Sequence, residues 1–273
     1  MPSRVETSRH AIDIFTEAAR AYGASAHEAW LGIYAALLWY EPTNLPGFAS
    51  LPHIIDADKL RLRTSQRKTE PVALTVWQKR AVAVERYLAD QMGCQPAEVH
   101  ARVDRLMRRP EYAGFQRQNS LGIAFIGLIH HALMLYGNPN LAYETEQKAN
   151  RVFPGITFPG RSTTPSADVL ARKGNVPRAV ISVKWSLRHD RINDLTNECP
   201  CYKQAASWGR YPLDFVVLTN EYDPARLQRL LSDPCIDALI HVHKPAVQKI
   251  AQLDGRLAKL LDLTDLFALT HRW

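Results

Sequence analysis

Asp168, Ser182, Lys184 and Glu198 place two carboxylates, a hydroxyl and an ammonium in one short reach of the chain, "SADVLARKGNVPRAVISVK" and the segment after it. An aspartate and a lysine at the ends of adjacent strands can form a metal-plus-base arrangement. The carboxylate is a hard oxygen ligand of the kind that suits Mg²⁺. The lysine can orient or deprotonate a water and offset charge developing on phosphorus. A plain salt bridge at the sheet rim is the competing reading, because an ammonium is costly to bury without a partner. Glu198 lies fourteen residues after Lys184 and can return a second carboxylate to the same place.

Directly after the lysine comes Arg188-His189-Asp190-Arg191. An arginine can donate two bonds to guanine O6 and N7 in the major groove, and an aspartate can accept from the cytosine N4 amine. Arg188, Asp190 and Arg191 therefore suit a tract of G·C pairs. A solvated charge run opening a helix is the alternative. His189 is expected to face solvent or a phosphate.

These groups need a sheet to hold them. "SADVLA", "AVISVK", "DFVVLT" and "IDALIHV" are short β-rich runs, separated by turns or by helical stretches near 192–208, 223–232 and 245–262. Strands alternating with helices predict an α/β layer on a mixed sheet. In "AVISVK", alternation sends Val180, Ser182 and Lys184 to one face and Ala179, Ile181 and Val183 to the other. Gly174-Asn175-Val176-Pro177 turns the chain, so the two strands carrying Asp168 and Lys184 are expected to pair antiparallel. Pro200 resists the helix interior, which puts Glu198 in the first turn or cap of a following helix.

The first half reads as helical, from apolar spacing at Ile12, Phe15, Ala19 and Tyr22 and at Trp30, Ile33, Ala36 and Leu37, with further helices near 75–92, 96–108 and 120–136. Residues 44–71 look irregular and carry the basic run "RLRTSQRK". The expected organisation is a helical N-terminal region over 1–139, expected to serve dimerisation, DNA contacts or completion of the core, and an α/β core over 140–273 that holds the candidate catalytic residues. A short helix is expected after "YGNPN", through about Asn150.

The net charge is +7 and the pI about 9.3. Residues 151–191 hold eight Lys/Arg against two acids, Asp168 and Asp190, which is nearly the whole surplus. A polyanion partner fits that concentration. Arg172, Lys173 and Arg178 around the turn, and the 61–68 run, suit backbone phosphates; Gln116 and Gln118 could touch a groove edge. Cys94, Cys199, Cys201 and Cys235 have no zinc-knuckle spacing, and reduced thiols in a cytoplasmic protein are expected. The polar start and the interrupted apolar stretch 121–136 predict neither a signal peptide nor a membrane span. No P-loop, GxGxxG or HExxH is present, which removes those nucleotide-binding and zinc-protease classes.

The set Asp168, Ser182-Val183-Lys184, Glu198 and Arg188-His189-Asp190-Arg191 resembles the type II restriction endonucleases of the PD-(D/E)XK nuclease fold. More narrowly, it is similar to the group that recognises a CCGG core, in which a displaced downstream glutamate replaces the acid usually found two residues before the lysine. The resemblance spans 165–200; the usual Pro-Asp is loosened here to Pro165-Ser166-Ala167-Asp168. It implies a Mg²⁺-dependent, site-specific cleavage of double-stranded DNA that leaves 5′-phosphates, with Asp168 and Glu198 on metal and Lys184 on water. Ser182 then supports a neighbour or a metal-bound water.

The resemblance also implies a homodimer on a palindrome, four-base 5′ overhangs and a functionally paired DNA methyltransferase. It further calls for a glutamate from the helix before the aspartate strand. Glu144 and Glu146 are the candidates, and Glu146 is chosen for its place on the face of Ala142, Ala149 and Phe153. Two rivals stand beside this reading: a repair or junction-resolving nuclease of the same fold, and a DNA-binding regulator without catalysis.

Overall fold

The computed structural model describes residues 4–22, 25–39, 86–87, 89–91, 93–95, 98, 120–187, 189–251 and 258–273. The expected helices at 75–92 and 96–108 lie largely outside these residues, and the irregular region 44–71, the basic run within it, Gln116, Gln118 and Arg188 lie wholly outside. Contacts gather the chain into two compact units, Met1–Leu128 with Ala246–Gln252, and Ile129–Pro245 with Leu253–Trp273.

In the first unit, α1 (Arg4–Tyr22) packs on α2 (Ala29–Trp39). Their seam buries Phe15, Trp30, Ile33 and Tyr34. Gly32 permits it, since a Cβ there would meet the Phe15 ring at 3.0 Å. Helix α3 (Ser120–Tyr136) follows, divided between the units after Leu128, with Phe125, Leu128, Ile129 and Leu133 buried. Among the described residues, no helix is long and apolar enough to cross a membrane.

The second unit is α/β, with a six-stranded mixed sheet in the order β1-β2-β3-β4-β5-β6. The strands are β1 (Ala142–Lys148), β2 (Ser166–Lys173), β3 (Val176–Lys184), β4 (Asp214–Thr219), β5 (Ala238–His241) and β6 (Leu261–Asp262). β1, β2 and β3 pair antiparallel; β3 to β6 run parallel. Between β1 and β2 lies the short α4 (Ala149–Val152). The connections from β3 to β4 and from β4 to β5 carry α5 (His189–Trp208) and α6 (Pro224–Leu231); α7 (Lys244–Ala251) follows β5 and from Ala246 belongs to the first unit, and α8 (Leu263–Thr270) follows β6.

Central strands buried on both faces read as continuous apolar runs, and Val180, Ile181, Val183 and Phe215 to Leu218 are all buried. The β2–β3 hairpin turns at Gly174, whose φ of +59° suits a residue without a Cβ. Asp223 caps α6 by accepting from Ala225 N at 2.9 Å and Arg226 N at 3.3 Å, with Pro224 at the first helical position.

Three expectations need correction. Residues 142–148 form an edge strand, so Glu144 and Glu146 are not helical. The polar sequence AYETEQK shows no apolar alternation, and pairing to β2 overrides its helix-forming composition. Helix α5 runs straight through Pro200, which leaves Glu198 mid-helix. The missing N–H costs one bond at the Thr196 carbonyl, on a side where Pro200 itself is exposed to solvent. Finally, Cys199 and Cys235 form a disulfide with Cα atoms 6.1 Å apart, in which Cys94 and Cys201 take no part. Folding joins positions 36 residues apart, which spacing alone does not show, and the thiol argument for a reducing compartment is removed.

Candidate active site

β2 and β3 run antiparallel, so the early part of β2 and the end of β3 meet at one sheet edge. The pairs Leu170↔Val180 and Val169↔Ile181 carry the ladder toward Asp168 and Ser182. There the Asp168 carboxylate takes over from the backbone. Its Oδ2 accepts from Val183 N at 2.8 Å and from Ser182 Oγ at 3.2 Å, and it is ion-paired with Lys184 Nζ. No described residue donates to Oδ1. Ser182 thus holds the aspartate.

Helix α5 brings the second carboxylate. Ile192, Leu195, Cys199, Tyr202 and Ala206 are buried, a helical stripe that fixes the helix on the sheet. Arg191, Asp194, Leu195, Glu198 and Tyr202 recur at spacings of three and four and line a cavity of about 230 Å³. Asp168, Ser182, Lys184 and Arg161 line the same cavity. The three residues singled out by spacing, Asp168, Lys184 and Glu198, therefore converge.

Burial raises the affinity of Glu198 for its proton; the Arg161 and Lys184 charges oppose this, and those of Asp194 and Asp168 add to it. Arg161, in the loop before β2, bridges two carboxylates through Nη2, at 2.5 Å from Glu198 Oε1 and 2.8 Å from Asp194 Oδ1. Arg191 approaches the other Asp194 oxygen at 3.9 Å. Tyr202 is 1% exposed, with its ring packed on Phe153, Phe158 and Phe215. Its hydroxyl is buried with no hydrogen-bond partner among the described residues. Burial, then the charges of Glu198 and Asp168, hold that phenol well above its ordinary range.

Glu146 does not line this cavity. It sits on β1 at the level of Asp168, between Thr145 and Gln147, which pair with Val169 and Ala167. Its φ of 52° interrupts the ladder, a left-handed conformation uncommon for a residue with a side chain. Glu144 is ion-paired across the strands with Arg172 at 3.2 Å.

The segment leading to Asp190 and Arg191 begins where β3 ends. Glu221, 2% exposed, accepts from Leu187 N at 2.9 Å, Tyr222 N at 3.0 Å and Asp223 N at 2.9 Å, and from Arg226 Nη1 at 3.0 Å. Asn220 N donates to Trp185 O at 3.1 Å. Residues 185–187 are thereby clamped to the end of β4. Asp190 and Arg191 occupy the first turn of α5 and are exposed.

Arg161, Asp194, Tyr202 and Glu221 were missed in the sequence. Asp194 and Tyr202 stand four residues either side of Glu198, so a continuous helix there would have revealed both. Arg161 and Glu221 carry no local signal.

A hard cation would find oxygen donors in Asp168 and Glu198. Among the described residues, no group of three or more His, Cys, Asp or Glu side chains is arranged to hold a metal ion. Two carboxylates nevertheless fit Mg²⁺, which keeps several waters and takes further oxygens from a phosphate. The orphaned Tyr202 hydroxyl beside them is a polar group suited to such a water. No protein-family model matches this chain, and no curated protein is found similar to it.

Proposed function

We propose that the protein is a Mg²⁺-dependent endonuclease of the PD-(D/E)XK fold that cuts double-stranded DNA at a site with a CCGG core. The observation that carries this reading is the convergence of Asp168, Lys184 and Glu198 on one cavity, with Arg191 on its wall. The mixed sheet, with an antiparallel hairpin leading into parallel strands, is compatible with that fold.

A bound Mg²⁺ would supply Lewis acidity at the phosphate and lower the pKa of a coordinated water. Asp168 would offer Oδ1 to it while Ser182, Val183 and Lys184 keep the carboxylate oriented from Oδ2. Glu198 would offer the second carboxylate from α5. Lys184 would orient the attacking water and offset charge on the phosphorane, in line with the departing 3′ oxygen, leaving a 5′-phosphate. Arg188, Asp190 and Arg191 would read guanine and cytosine edges, and two copies of the chain would serve the two half-sites of a palindrome. A DNA methyltransferase protecting the same site belongs to this reading. Glu146 has no part in it, since it does not line the cavity.

Incubating supercoiled plasmid with the protein and Mg²⁺ separates this from its rivals. Discrete linear fragments are expected. Cutting confined to branched substrates would favour a junction-resolving enzyme, and retardation without cleavage a regulator.

A further inference from the structure

Three carboxylates, Asp168, Asp194 and Glu198, and three cations, Arg161, Lys184 and Arg191, line the cavity. A neutral cavity attracts a free dication weakly, because each carboxylate charge is already offset nearby. The two candidate metal ligands are offset in different ways. Lys184 shares Asp168 Oδ2 with two other donors, and no described residue donates to Oδ1. Arg161 Nη2 sits at 2.5 Å from Glu198 Oε1, so it neutralises the carboxylate that would serve as the second ligand of a cation. The same nitrogen is held by Asp194 at 2.8 Å. A guanidinium leaving Glu198 can therefore pivot on Asp194 and present its other N–H groups to the cavity, where a phosphodiester oxygen is its natural planar partner. Arg161 follows Gly160, whose φ of +76° belongs to glycine, and its side chain is 32% exposed.

We propose that Arg161 is an exchangeable counter-ion. It occupies Glu198 when no DNA is bound and transfers to a backbone phosphate when a duplex arrives, so that duplex and divalent cation bind cooperatively. This rests on the nuclease reading of the site and adds its regulation: the cation is held productively only on DNA. Reciprocity requires that the cation strengthen duplex binding by the same factor that the duplex strengthens cation binding.

The test is Mn²⁺ titration of the full-length protein without DNA, followed by the paramagnetic signal of free Mn²⁺. Arg161→Ala removes the competitor and is expected to bind Mn²⁺ on the order of tenfold more tightly than the wild type, within the usual range of coupling. Arg161→Gln should behave likewise, which guards against a folding defect in the alanine variant, and Arg161→Lys should stay near wild type. Equal or weaker Mn²⁺ binding by both the alanine and glutamine variants, with wild-type binding still lost in Glu198→Gln, overturns the counter-ion role and leaves the site reading intact. If neither the wild type nor the Arg161→Ala and Arg161→Gln variants bind Mn²⁺, or Glu198→Gln binds it unchanged, the site reading fails and this proposal falls with it.

Discussion

Replacing Lys184 by methionine removes the ammonium while keeping an apolar stem, and separates catalysis from folding. The side chains of Lys184 and Asp168 are 22% and 15% exposed, so their pairing is only partly screened by solvent. Asp168 is not orphaned in the variant, because Val183 N at 2.8 Å and Ser182 Oγ at 3.2 Å remain on Oδ2. The loss is one charge-assisted bond, about 1.5–3 kcal/mol. Against it stands the recovered cost of burying the ammonium, so the net destabilisation is about 1–2 kcal/mol, well short of the roughly 3–5 kcal/mol for a buried ion pair broken outright. Catalysis should suffer far more, by about 10²–10⁴-fold, the usual contribution of a positioned proton-transfer group. Urea denaturation without metal gives the first quantity and single-turnover cleavage of a CCGG duplex the second. Duplex affinity, measured by anisotropy with Ca²⁺, should hardly move. Cleavage near the wild-type rate would refute the catalytic assignment and leave Lys184 as a rim salt bridge.

Three further outcomes follow from the site and its surroundings. Because burial raises the Glu198 pKa, cation binding should be lost on acidification at a higher pH than for an ordinary glutamate, and the metal-free fold should lose stability as pH rises from the unfolded glutamate's range through the raised folded value, since the unfolded chain gives up that proton first; Mn²⁺ titrations and urea midpoints across pH, with Glu198→Gln flattening both, check this, and a midpoint at the ordinary glutamate pKa contradicts it. Tyr202→Phe should stabilise the metal-free protein by about 1 kcal/mol, because it deletes a buried hydroxyl that has no partner; destabilisation of that size in urea would show that the hydroxyl is satisfied. Reducing the Cys199–Cys235 disulfide, which spans 36 residues, should cost about 3–4 kcal/mol on the chain-entropy account, and identical denaturation midpoints with and without reductant would contradict the pairing.

What the sequence disclosed follows from how local each signal is. β2, β3 and β4 were legible because β-branched runs such as AVISVK and DFVVLT sit between turn residues, and their alternation placed Ser182 and Lys184 on one face. The Asp168–Lys184 meeting needed only a hairpin. Edge strand β1 was read as helix because its half-exposed residues carry no alternating apolar face, and its state is fixed by β2. That reading put Glu146 on a helix face. The Pro200 rule was applied too strictly to a helix whose buried stripe from Ile192 to Ala206 outweighs one lost hydrogen bond. Arg161 joins Glu198 only through the path of a loop, and the Glu221 clamp on Leu187 joins two strand ends; neither has a pattern in one dimension.

The central claim is that this cavity hydrolyses DNA at a defined sequence. Sequencing the ends produced from a plasmid of known sequence in Mg²⁺ tests it most directly. The account predicts 5′-phosphates on both strands at every cut, each within a palindrome containing CCGG and staggered to leave four-base 5′ overhangs. Intact plasmid, or ends scattered without regard to sequence, would contradict it.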